Sequence, residues 1–186
     1  MRQPFTAIRL IAAILLWSGS LANADQNAPA LDGLFDRLAK AESFESASLI
    51  EAGIWQAWLE PPSPQAGRLT LQIDNAMRMR RTEQALAVCD VLVTRYPDFA
   101  EGWNKRATLR YLSGDFDGSV ADIERTLELE PRHFGALSGL GLIFLGQGDL
   151  VGATSAFEAV LALSPASRSA QANLERVRTE MKNRDI

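Results

Sequence analysis

Three prolines stand 34 residues apart, at Pro97, Pro131 and Pro165. A fixed period of that length means stacked supersecondary units rather than one globular core. The chemistry repeats along with the prolines. Leu69, Trp103 and Leu137 share a column and are large and apolar. Ile73, Ala107 and Gly141 shrink to small residues in the two later units. Ala85, Ser119 and Ala153 are small, Cys89, Ile123 and Phe157 are apolar, and so are Val93, Leu127 and Leu161. Gly114 and Gly148 align, each followed by an aspartate.

Each unit reads as a helix, a tight turn and a second helix. In the last unit Leu137, Leu140, Gly141 and Phe144 fall at helical spacing. Gly148 suits a left-handed helix stop, because it has no Cβ to clash. Ala153, Ala156, Phe157, Val160 and Leu161 mark the second helix, and Pro165 cannot continue it. The small residues let two helices approach closely. The expected fold is all-α: an α-solenoid of antiparallel helix pairs.

The pattern resembles the tetratricopeptide repeat (TPR). One unit carries it in Trp103, Ala107, Gly114-Asp115, Ser119, Ile123 and Pro131. The next carries it in Leu140-Gly141, Phe144, Gly148-Asp149, Ala153, Phe157 and Pro165. The unit ending at Pro97 departs from it: Arg80 and Arg81 replace Gly-Asp, and Gln72 stands where a large apolar residue is expected. By period the units are 66–99, 100–133 and 134–167, covering 66–165 up to the last proline.

The ends differ from the repeats. Residues 1–24 have Arg2 and Arg9, a short apolar run from Leu10 to Trp17, and a small-x-small site at Ala22-Asn23-Ala24. That is the pattern of a cleaved secretory signal, with cleavage between Ala24 and Asp25. An uncleaved N-terminal anchor is the rival, although the run is shorter than the roughly 20 apolar residues a spanning helix needs. Residues 25–30 are expected to be a flexible mature N-terminus. Residues 31–60 form a degenerate helical hairpin, with Leu31, Leu34, Phe35 and Leu38 on one stripe and Ala47, Ile50, Ile54 and Trp58 on the other. It is expected to cap the open end of the stack. Residues 61–65 are a Pro-rich break. Residues 168–183 form a C-terminal capping helix on Ala170, Leu174, Val177 and Met181. Trp55 and Trp58 are either core packing or a docking face.

The formal net charge is −4, and losing a leader with two arginines and no acid takes it to −6. Such a chain is poorly suited to nucleic acid or to an anionic membrane surface, and no stable membrane insertion is expected after cleavage. No catalytic set, cofactor motif or metal cluster is legible. His133 is the only histidine and Cys89 the only cysteine, so no disulfide forms within the chain. Cys89 reads as a buried, inert thiol, and His133 as a residue that orders its turn. Gly139 and Gly141 lie in a helical stripe, not after a strand. Arg106 and Arg110 stand near the interior and need partners among Asp122, Glu101 and Asp74. They are either an ion pair between helices or an anion-binding spot.

The TPR resemblance implies a concave groove lined by the first helices. Its residues here would be Asp74, Met77, Arg78, Glu101, Asn104, Lys105, Thr108 and Tyr111, followed by Gly135, Ser138, Gly139 and Leu142. Some members clamp a terminal carboxylate with Lys, Asn and Arg in these columns. Asp74 and Gly139 occupy two of those places here, so that clamp is absent. An extended peptide or a partner helix suits the groove. The segments 99–107 and 130–137 also resemble small exported alphaproteobacterial TPR proteins linked with cell-envelope integrity. The expectation is a non-enzymatic periplasmic scaffold binding a protein or peptide, without cofactor. Its rivals are an assembly factor for an envelope machine, such as cytochrome maturation or outer-membrane protein insertion, and an enzyme with an unrecognised site.

Overall fold

The small-residue columns place the helices. In the computed structural model, which describes residues 28–184, two such columns are buried between helices, with an apolar column beside them. The signal sequence lies outside the described residues, as do residues 25–27. Nine helices occupy the described residues: α1 (Ala28–Leu38), α2 (Phe44–Trp58), α3 (Pro64–Arg78), α4 (Thr82–Arg95), α5 (Ala100–Leu112), α6 (Phe116–Leu129), α7 (Phe134–Gln147), α8 (Leu150–Leu163) and α9 (Arg168–Arg184). The chain is an all-α solenoid. The pairs α3/α4, α5/α6 and α7/α8 are its regular units, and α9 packs on α8.

Ala85, Ser119 and Ala153 are buried, as are Cys89, Ile123 and Phe157, and Ile73, Ala107 and Gly141. The polar member of this set is satisfied: the Ser119 hydroxyl donates to the Ala107 carbonyl at 2.8 Å. One column behaves differently. Leu137 is buried, but Trp103 is only half-buried. Its Nε1 donates to the Pro97 carbonyl at 2.9 Å and the Arg106 guanidinium lies 4.9 Å from its ring centre. Trp103 therefore braces the turn at Pro97 instead of filling the core.

The turn inside each unit has one geometry. Gly114 and Gly148 adopt φ of 82° and 76°, and Arg80 holds the same left-handed position at 56°. The backbone N–H groups of Arg81, Asp115 and Asp149 then reach back to Ala76, Arg110 and Phe144. Asp115 and Asp149 cap the next helix, accepting from Gly118 N at 3.0 Å and Gly152 N at 2.9 Å. Arg81 makes no such side-chain bond. A side chain with a Cβ is disfavoured in this conformation, and a missing cap costs about 1 kcal/mol. Replacing Arg80 by Gly and Arg81 by Asp should therefore stabilise the protein by about 1–2 kcal/mol. A lowered urea midpoint for the double variant would contradict this account of the first unit.

The N-terminal hairpin departs from expectation in its placement. α1 starts at Ala28, inside the stretch expected to be flexible, and α3 starts at Pro64, inside the Pro-rich break. Proline is well placed in a first turn, where its missing N–H has no intrahelical partner. The hairpin then lies across the turns that join the later units. Trp58 stacks on His133 with ring centres 4.1 Å apart, and Trp55 meets His133 and Phe134 edge-on. The Arg132 guanidinium lies over Phe35 and bonds Asp32 at 2.6 Å. Ser164 donates to Glu51 at 2.7 Å, and Arg168 sits over Phe44. Aromatic bulk on α2 finds apolar cover at those turns. The face of α3 opposite its buried Ala66, Ile73 and Ala76 carries Arg68, Gln72 and Asn75, all exposed. Gln72 fits this placement: it stands on the free side of the first unit, where no helix stacks.

Candidate functional site

α5 and α7 are first helices of their units, and α9 follows them along one open side of the stack, where the three border a common cleft. On α5 the polar residues are committed to one another. Lys105 Nζ bonds Asp74 at 2.9 Å and lies 3.9 Å from Glu101. Asn104 donates to Glu101 at 2.9 Å, and Thr108 donates to the Asn104 carbonyl. Glu101 is buried and faces His133 Nε2 at 3.3 Å. His133 caps α7, its Nδ1 accepting from Ala136 N at 3.1 Å, and its Nε2 lies near Glu101 without a hydrogen bond to it. The helices thus bring together Asp74, Glu101, Asn104 and Lys105. Met77 is half-buried against the small core of the first unit, and Arg78 is exposed. Gly135 has Trp55 laid against it: a Cβ there would stand 2.5 Å from the indole Cη2.

Tyr111 lies farther along α5, apart from this polar group. It borders an open cleft of about 640 Å³ between α5, α7 and α9, with Leu142 and Leu145 on one side and Ala172, Arg176 and Thr179 on the other. Sequence reasoning named Tyr111 and Leu142 but missed the α9 wall. The shift of 34 from Ser138 and Leu142 to Ala172 and Arg176 is the signal that would have found it.

Arg106 and Arg110 form the interhelical ion pair, not an open anion spot. Asp122, buried at 1% exposure, accepts from Arg106 Nε at 2.9 Å and Nη2 at 2.7 Å. Arg110 Nη1 reaches the same carboxylate at 2.9 Å and the Gly118 carbonyl at 3.0 Å. Arg106 also bonds Asp90 at 2.8 Å. The bond to Asp122, opposed by burial, raises the Arg106 pKa above its ordinary value.

Cys89 is fully buried, and that burial pushes its thiol up to about 12. The folded chain keeps the proton while the unfolded chain loses it above about pH 8.5. Stability from this group is therefore complete below that pH and is lost as pH rises towards 12, at about 1.4 kcal/mol per pH unit. The Cys89→Ala variant should show a flatter fall of urea midpoint between pH 9 and 11. Equal slopes would mean that the thiol ionises in the fold. No group of three metal-ligating side chains occurs among the described residues.

The tetratricopeptide repeat profile matches residues 104–168. The chain is 38% identical over 141 residues to a TPR repeat-containing protein of Rhizobium etli, covering 76% of this chain and 69% of that one. A 72-residue stretch is 33% identical to the probable biofilm formation methyltransferase WspC of Pseudomonas putida, spanning 39% of this chain but 17% of that protein. In fold it is similar to the Sgt2 TPR domain from Aspergillus fumigatus, with TM-score 0.61 and 22% identity over 67% of this chain and 84% of that one. The first TPR of Spaghetti (RPAP3), solved bound to an HSP90 peptide, gives 0.62 and 18% over 66% and 97%. With the 34-residue columns visible in the helices, the Rhizobium match fixes the family: the chain belongs to the tetratricopeptide repeat proteins.

Proposed function

We propose that the protein is an exported, non-enzymatic scaffold of the periplasm. It docks a protein or peptide segment on its concave face, in maintenance of the cell envelope. The observation that carries the docking is the cleft beside Tyr111. It is open, half apolar, and rimmed by Arg176, whose guanidinium keeps donors beyond the one it gives Asn173. A bound segment needs apolar contact area and partners for its backbone, and this surface offers both. It runs from Tyr111 to α9, while Asn104, Lys105 and Thr108 lie apart from it, spent on Glu101, Asp74 and a backbone carbonyl. A peptide bound to the RPAP3 domain, which shares the fold, supports the reading. Export rests on the arginine-flanked apolar run and Ala22-Asn23-Ala24. The envelope role rests on resemblance to small exported TPR proteins.

A photo-crosslinking side chain at Tyr111 should capture a partner in periplasmic extract, and one at exposed Val151 should not. Thr179→Arg, which fills the cleft, should abolish the capture with little change in Tm. Equal capture at both positions would overturn the assignment. The mass of the captured chain tests export as well, since it should begin at Asp25.

A further inference from the structure

The segment from Pro61 to Arg81 holds four arginines and one acid, in a chain of formal net charge −4. That acid, Asp74, is held by Lys105. Arg68, Arg78, Arg80 and Arg81 are exposed, and none has a carboxylate within 4.0 Å among the described residues. Arg106, Arg110, Arg125 and Arg132 all have such partners. Glu83, on the first turn of α4, is the nearest acid along the chain after these arginines.

Two large apolar side chains stand among them, Leu71 at 61% and Met79 at 63% exposure. Arg68, Leu71, Asn75, Arg78 and Met79 follow helical spacing along the side of α3 that no other helix covers. Arg80 and Arg81 extend the patch onto the turn. Both break the local rule. Arg80 takes the left-handed position that glycine holds in the other two units, and Arg81 replaces the capping aspartate. The turn gives up stability and gains two exposed guanidiniums without a carboxylate partner. Local rules broken without compensation in the fold point to function.

We propose that this end of the solenoid is a docking surface for an anionic lipid bilayer, with guanidiniums on headgroup phosphates and Leu71 and Met79 in the interfacial layer. Leu71 and Met79 are separated by the exposed, polar Gln72 and Asn75, so the patch offers no apolar stripe for a stacked helix. A flat, phosphate-bearing surface meets all four arginines at once, and guanidinium pairs with phosphate in a bidentate way. No helix among the described residues is long and apolar enough to cross a membrane, so the contact is with the surface. The excess acid elsewhere on the chain turns this end towards the lipid.

The test compares the full chain with its Arg80→Gly/Arg81→Asp variant by co-sedimentation with vesicles of 30% phosphatidylglycerol in phosphatidylcholine at low salt. Each surface arginine contributes about fivefold to such binding, so the variant should bind at least about 25-fold more weakly. It should do so while melting higher than the parent, which separates lost binding from lost folding. Any attraction of the N-terminal apolar run for lipid is common to both chains and cancels. High salt should release the parent. Equal binding by the two chains would overturn the proposal, and so would a parent that ignores these vesicles. Binding of an acidic heptaglutamate peptide instead of the vesicles, lost in the variant, would assign the patch to a protein partner and sink the lipid reading.

Discussion

Asp122→Ala should cost about 3–5 kcal/mol, the cost of removing one partner from a buried ion pair. The carboxylate accepts from two arginines four residues apart on α5 and ties them to α6. Without it Arg106 keeps Asp90, but its Nε and Nη2 lose their acceptor in a nearly closed space, and Arg110 keeps the Gly118 carbonyl and the more distant Asp115 at 3.7 Å. Asn at this position should recover part of the loss, because one oxygen can still accept. Urea unfolding of both variants, with the Arg106→Met/Asp122→Leu pair as control, checks the argument. The apolar pair should be more stable than Asp122→Ala, since only Arg110 then loses Asp122, and it retains Asp115 at 3.7 Å. A loss under 1 kcal/mol for Asp122→Ala would show that water reaches the site freely.

Gly141→Leu should be similarly disruptive, at about 3 kcal/mol or more, above the usual range for added volume in a packed core. A Cβ alone would meet the Phe157 ring at 2.7 Å, and Phe157 is wholly enclosed. The remaining leucine carbons have nowhere to go unless α7 and α8 separate. Gly141→Ala should already lower Tm, and Gly141→Ala with Phe157→Leu should recover part of the loss. Gly146→Ala serves as the control, because nothing lies within 4 Å of a Cβ there. Equal melting of the two alanine variants would refute the packing at this column.

The repeat was legible because its columns are read in one dimension. Small residues facing large ones, glycine before aspartate and proline after the second helix each have a local cause, so the sequence shows them directly. The departure at Arg80 and Arg81 was legible by the same shift, but that an arginine takes the left-handed position of Gly114 and Gly148 was not, because a side chain with a Cβ disfavours it. Trp103 was not, because a column says that a residue is apolar but not whether the turn beside it stays open. The hairpin placement was hidden for a related reason. Stripes on α1 and α2 say that they bury a face, and nothing in their period says that the cover is His133, Phe134 and Arg132, about a hundred residues on. The candidate groove was half legible: Tyr111 and Leu142 by column, whereas the mutual pairing of Lys105, Asp74 and Glu101 needed three dimensions.

The return of α1 and α2 across the later turns alters how such an array comes apart. In an open solenoid each unit touches only its neighbours, so units fray from the ends and unfolding is graded. Here the first helices grip the last turns, through Trp58 on His133 and Glu51 at Ser164. Fraying from the C-terminus must release the N-terminus too, which couples the two ends into one cooperative transition. The same closure places the most distant contacts last in assembly. The hairpin waits for the final unit before it can dock, and the entropy of closing that long loop slows folding in return for the cooperativity.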